Sequence, residues 1–116
     1  NRRPYAALSL TTDTSVLTAC SNDFGFNTVF QRQIQAFQFI NGLSIGLSTS
    51  GNSPNVIAGL AKAKSLGAKT VLISGSSQGH NPAFDLHVLF PCSDTPIVQS
   101  LTQILYHEVC NQLECQ

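Results

Sequence analysis

Two short apolar runs, Leu43–Leu47 and Thr70–Ser74, flank a single helical pattern. Ser53 suits an N-cap and Pro54 the first helical position. Val56, Ile57, Leu60, Ala61 and Leu66 then make an apolar face, and Gly67 closes the helix with a left-handed residue. Strands separated by a helix pair in parallel, because the chain must cross back before the second strand can form. This unit therefore commits the chain to an open, layered α/β sheet.

The flanking segments extend the pattern. Tyr5 to Thr11 reads as a strand ending in a Thr-Thr-Asp helix cap, and Thr14 to Ala19 as a short helix. Ser21-Asn22-Asp23 is expected to break that helix, with Gly25 completing a turn. Asn27 caps a second helix with Phe30, Ile34 and Phe37 at helical spacing and Val29 and Ile40 beside them. Asn41-Gly42 ends it. After a polar loop from Gly75 to Pro82, Leu86, Val88 and Phe90 alternate as a strand closed by Pro91. Asp94, Thr95 and Pro96 start a last helix, with Val98, Leu101, Ile104, Leu105 and Val109 on its apolar side.

The expectation is a three-layer open parallel sheet with helices on both faces. Only about four strands are visible, fewer than such a sheet usually has. An N-terminal portion outside this sequence would account for the difference.

A chain of 116 residues makes one domain and can bury a core. Six basic and six acidic residues leave no net charge and no basic stripe, which argues against nucleic acid. No apolar run is long enough to span a membrane, and no cationic start precedes an apolar stretch as in a signal peptide. Charged residues are only 10% of the chain, against about 25% in ordinary domains. Burial in an oligomer or a surface of Ser, Thr, Asn and Gln would each explain that. Cys20, Cys92, Cys110 and Cys115 match no zinc or redox spacing, and a cytosolic reading favours free thiols.

The stretch Ser48-Thr49-Ser50-Gly51-Asn52-Ser53 lies where the first buried strand meets its helix. Ligands of open parallel sheets gather beyond the carboxyl ends of the strands. The first N–H groups of a helix lack partners within it and sit at the positive end of its dipole. Ser48, Thr49, Ser50 and Ser53 add hydroxyls, and Gly51 permits close backbone approach. The turn has no Lys and no Gly-x-Gly-x-x-Gly spacing, so it is neither a nucleotide P-loop nor a dinucleotide fingerprint. A neutral, hydroxyl-rich turn suits one phosphate on a small sugar. It also reads as an ordinary capped helix after a polar loop.

For chemistry, Gln99, Gln103 and His107 are spaced four apart on one side of the last helix. His107 suits a general acid or base or a metal ligand, or a surface histidine. His80 and His87 have no partner pattern and read as structural. Asp23 beside Asn22 suits sugar hydroxyls or simple turn stabilisation. Glu108 adjoins His107 but points elsewhere.

Leu10–Ser15, Asn22-Asp23-Phe24-Gly25-Phe26, Ser48 through Asn55 and the Gln99–His107 helix together resemble the sugar isomerase (SIS) domain family over essentially the whole chain. The resemblance implies a flavodoxin- or Rossmann-like sheet and a ketose–aldose isomerisation. The members most similar interconvert sedoheptulose 7-phosphate and D-glycero-D-manno-heptose 7-phosphate through an enediol, for lipopolysaccharide or surface-glycan heptose. It further implies a cytoplasmic homotetramer that binds zinc.

Residue by residue, Ser48, Thr49, Ser50 and Ser53 match the family's phosphate-binding run. Asn22 and Asp23 match its sugar-contacting pair. Gln99 and His107 match metal- and substrate-contacting positions, and His107 the acid/base. The family's N-terminal helices and first strand, with a His and a Glu that complete the metal site, have no counterpart here. Gly42 replaces an acidic residue, and the Gly75 loop lacks the usual Lys and Asp. With one acid/base candidate, this segment is expected to be inactive alone. A sugar-phosphate sensor and a scaffold that associates with a replication initiator are the alternatives within the family. The retained His107 and intact turn speak against the scaffold.

Overall fold

Three strands form where the apolar runs predict them. The computed structural model describes residues 3–37, 41–76 and 83–115. The helices are α1 (Thr14–Phe24), α2 (Val29–Phe37), α3 (Pro54–Ser65) and α4 (Thr95–Glu114), and the strands are β1 (Leu43–Ser48), β2 (Lys69–Ser74) and β3 (Leu86–Leu89). A 3-10 turn, Phe26–Thr28, leads into α2. The sheet order is β1-β2-β3, and both pairs are parallel. Leu43 lies opposite Lys69 and Ser48 opposite Ser74, while Val71 lies opposite Leu86. The open parallel α/β arrangement is thus the one expected from the helix between β1 and β2.

Helix α3 sits directly on β1. A Cβ at Gly46 would come within 2.7 Å of Val56 Cγ1 and 2.9 Å of Leu60 Cδ1. Leu60 and Leu72 pack with Ala83 and Phe84, while Ile34, Ala63 and Ala68 form a second cluster between α2 and α3. Phe30 Cβ lies 3.0 Å from where a Gly59 Cβ would be, and Ile34 clusters with Ala63. The two helices therefore run in the same direction. That places the 3-10 turn and the end of α1 beside the start of α3.

Several expectations are corrected. Residues Tyr5 to Thr11 form no strand. Ser9 and Thr11 share a 2.9 Å hydroxyl contact, Thr12 Oγ1 donates to Ser9 O, and Gln33 Nε2 donates to Leu10 O. These local and side-chain bonds compete with a ladder. Asp13 does cap α1, accepting from the Val16 N–H at 3.0 Å. The helix then runs through Asn22 and Asp23 rather than breaking there. Ser21 Oγ donates to Leu17 O at 2.6 Å, so this hydroxyl serves the helix instead of competing with it. Asn27 lies inside the 3-10 turn and caps nothing. In α3, Ala61 is exposed.

Helix α4 buries Val98 and half-buries Leu101 and Leu105, but Ile104 and Val109 are 65% and 47% exposed. Nothing among the described residues covers that part of the predicted face. The sheet face opposite α3 is similarly bare, with Leu43, Ile45, Leu47 and Leu86 each more than half exposed. A groove of about 280 Å³ runs along β1 between Leu8–Thr11 and Phe30. His80, Ile40 and most of the Gly75–Pro82 loop lie outside the described residues. Cys20 is buried, Cys92 half-buried, and Cys110 and Cys115 exposed, all as free thiols.

One ionic contact ties the N-terminal ends of β2 and β3 to α3. Asp85 accepts from Thr70 N at 2.9 Å and Thr70 Oγ1 at 3.0 Å, and pairs with Lys64 Nζ at 2.8 Å. The Lys64 contact first, then the Thr70 hydroxyl and N–H, hold its carboxyl down from 3.8 to about 2. A depressed carboxylate stabilises the fold above its unfolded value and loses that contribution as pH falls through its folded value. Melting temperatures of wild type and Asp85→Asn are therefore expected to differ above about pH 4 and to converge towards pH 2. A gap that persists unchanged at pH 2 would show that charge is not what Asp85 contributes.

Candidate functional site

The Ser48–Ser53 turn lies at the carboxyl end of β1 and the amino end of α3. Gly51 has φ 71°, the left-handed region that favours glycine, and its N–H donates to Ser48 O at 3.0 Å. Ser48 Oγ and Ser53 Oγ are 2.8 Å apart, and Ser53 N–H also reaches Ser48 Oγ at 3.4 Å. Ser53 thus occupies the N-cap position, but its hydroxyl bonds across the turn rather than to the helix. Ser50 Oγ accepts from Asn52 N–H at 3.3 Å.

Fewer helix donors remain than the sequence suggests. Pro54 has no N–H. Val56 N–H is taken by Asn55 Oδ1 at 2.9 Å, and Ile57 N–H by Ser53 O at 3.0 Å. Among the described residues, the Asn55 N–H is the first-turn donor that carries no partner. What the turn offers an anion is its hydroxyls, one N–H and the positive end of the α3 dipole.

Thr49 O accepts from Gly75 N–H at 3.1 Å, which joins the turn to the end of β2. Asn22 and Asp23 lie in the last turn of α1, at the same end of the molecule as the start of α3. Their side chains are exposed and bonded to each other, Asn22 Nδ2 to Asp23 Oδ1 at 3.0 Å. Gln99 follows Val98, the residue by which α4 meets Gly75. Its neighbour two turns on, His107, is exposed and rests edge-on against Tyr106, ring centroids 4.5 Å apart. Residues eight apart are about 12 Å apart along a helix. The structure thus joins Ser48 to Ser53, places Asn22 and Asp23 at their end of the fold, and sets His107 two turns beyond Gln99 on α4.

A zinc site draws three or four ligands from Cys, His and carboxylates. Among the described residues, no three such side chains come together for a metal. Gln99 and His107 on one exposed helix do not make a zinc site by themselves.

Two groups escaped the sequence reading. Asn55, buried in the first turn of α3, accepts the Val56 N–H with its side-chain Oδ1, and no spacing announces that. His87 Nε2 lies 2.7 Å from Ser74 Oγ. Its place on the α3 side of β3 follows from strand alternation, but its partner depends on strand register.

A parallel sheet with a hydroxyl-bearing turn at its carboxyl edge, opening a helix, defines the class: an open α/β domain. No protein-family model matches the chain. It is similar to phosphoheptose isomerase of Helicobacter pylori (strain Shi470), 44% identical over 114 residues, covering 97% of this chain and 59% of that protein. Phosphoheptose isomerase of Aquifex aeolicus (strain VF5) is 45% identical over 115 residues, covering 97% and 60%. The solved phosphoheptose isomerase of Francisella tularensis superposes with TM-score 0.91 at 26% identity, over 99% of this chain and 62% of that one. In sequence and in fold, the chain is similar to phosphoheptose isomerases, and it spans about 60% of the length of the curated relatives it matches.

Proposed function

We propose that the whole protein interconverts sedoheptulose 7-phosphate and D-glycero-D-manno-heptose 7-phosphate, supplying heptose for lipopolysaccharide or surface glycans. The observation that carries this is the Ser48–Ser53 turn, where the Ser48 and Ser53 hydroxyls meet at the amino end of α3 in a chain 44% identical to a phosphoheptose isomerase. In this reading Ser48, Thr49, Ser50 and Ser53 hold the phosphate. Asn22 and Asp23 hold sugar hydroxyls, and Gln99 orients the reacting end.

Ketose–aldose exchange moves a proton between adjacent carbons through an enediol, while another proton moves between their oxygens. His107 is the candidate to accept or return one of these protons. The likeness extends the reading to zinc, with Gln99 and His107 as partial ligands and the family's other two, a His and a Glu, without counterpart in this sequence. It extends also to a cytoplasmic homotetramer. Among the described residues, no helix is long and apolar enough to cross a membrane. A second reading, phosphosugar binding without turnover, draws on the fact that among the described residues no three His, Cys, Asp or Glu side chains gather at His107.

Titration of the chain with inorganic phosphate, followed by amide NMR, tests the site. Shifts are expected at residues 49–53, and Ser48→Ala/Ser53→Ala together should weaken binding about tenfold or more, as for loss of charge-assisted hydrogen bonds. Shifts confined elsewhere would remove the turn as the phosphate site. Turnover of sedoheptulose 7-phosphate by the whole protein then separates isomerase from binding module.

A further inference from the structure

We propose that His87 is a positioning residue for the Ser48–Ser53 turn, acting through the Ser74 hydroxyl and the Gly75 backbone. The inference rests on the reading of that turn as the phosphate site. Ser74 is completely buried, and its Oγ touches two groups: Gly75 O at 2.8 Å and His87 Nε2 at 2.7 Å. A hydroxyl has one proton. The carbonyl can only accept, so Ser74 donates to Gly75 O and His87 must donate from Nε2. His87 therefore serves as an N–H donor. The pair is not a nucleophile and its base, because Ser74 has no surface on which an electrophile could sit.

The two peptides around Gly75 are pinned from all sides. Gly75 N–H donates to Thr49 O, Ser76 N–H to Cys92 O at 2.8 Å, and Phe90 N–H to Ser74 O at 2.9 Å. There is no slack: a Cβ on Gly75 would lie 2.9 Å from Thr49 O and 2.5 Å from Cys92 O. Any rotation of these peptides displaces Thr49 in the turn on one side and the approach to α4 on the other. The His87–Ser74–Gly75 bonds set that rotation. Phe84, edge-on to the imidazole with centroids 5.0 Å apart, holds the ring in place.

The test uses His87→Ala, His87→Gln and Ser74→Ala in the chain, with two readouts. In hydrogen exchange, the Gly75 amide of His87→Ala and Ser74→Ala should lose about tenfold protection relative to α2 amides, the scale of one buried hydrogen bond. His87→Gln, which restores an N–H donor, should keep it. General loosening would lower α2 protection equally. In phosphate titration, the two alanine variants should bind inorganic phosphate about tenfold more weakly than wild type, with His87→Gln near wild type. Unchanged Gly75 protection in His87→Ala overturns the proposal, as does unchanged phosphate affinity where the wild type binds. If the wild type shows no phosphate shifts but the exchange effect is present, the positioning stands and the phosphate reading of the turn fails.

Discussion

His107→Ala is expected to lower kcat of the whole protein for sedoheptulose 7-phosphate by about 10²–10⁴-fold, the range for loss of a general acid or base. The same variant should leave inorganic phosphate binding at residues 49–53 unchanged. The two effects separate because His107 lies nine residues beyond Val98, the α4 residue packed at Gly75. That is about 13 Å along the helix. A seven-carbon sugar phosphate has its phosphate at one end and its carbonyl at the other, so the group acting on the carbonyl need not touch the turn. Unchanged turnover in His107→Ala would take the residue out of the mechanism. Lost turnover accompanied by lost phosphate shifts would mean that α4 had moved.

Gly75→Ala is expected to destabilise the fold by about 1–3 kcal/mol, the cost of overpacking a full site, and to abolish phosphate binding. The added methyl would lie 2.5 Å from Cys92 O, 2.7 Å from Val98 Cγ2 and 2.9 Å from Thr49 O. Two of the three are backbone atoms and cannot swing aside. Gly75 is not among the positive-φ residues, so its backbone alone would accept alanine and the cost is contact. Gly67→Ala makes the contrast: φ is 88° but nothing lies within 4 Å of the new methyl. It should cost about 1 kcal/mol through backbone strain and leave phosphate binding intact. Urea melts and phosphate titrations of both variants check this. Equal phosphate affinity in Gly75→Ala and wild type would show that the turn does not depend on the Gly75 junction.

The β1–α3–β2 unit was legible because each of its signals is local. Apolar runs, Pro54 at the first helical position and Gly67 after the last turn all act within a few residues. The arm at Tyr5–Thr11 was misread because its Ser and Thr hydroxyls bond within the arm, and Gln33 claims a carbonyl from 23 residues away. Asn22 and Asp23 looked like a helix break because a side chain's competition with the backbone is visible in sequence. Its resolution, Ser21 bonding back to Leu17, is not.

The site shows the same division. Ser48, Thr49, Ser50 and Ser53 were identifiable as a group at a helix start. That Ser53 turns its hydroxyl to Ser48 rather than to its own helix depends on the shape of the turn. The Ser74–His87 bond joins adjacent strands and needs register to be seen.

The bare face of the sheet has a practical consequence. Leu43, Ile45, Leu47 and Leu86 face solvent, and β1 is an edge strand with the groove at its side. Unpaired strand groups next to an apolar surface form a template for edge-to-edge association. The 116-residue chain by itself should bind a hydrophobic dye in its folded state and self-associate as its concentration rises. Its usable concentration in solution will then be limited by this surface before it is limited by the stability of the core, and charged substitutions at Ile45 and Leu47 are the direct way to raise that ceiling.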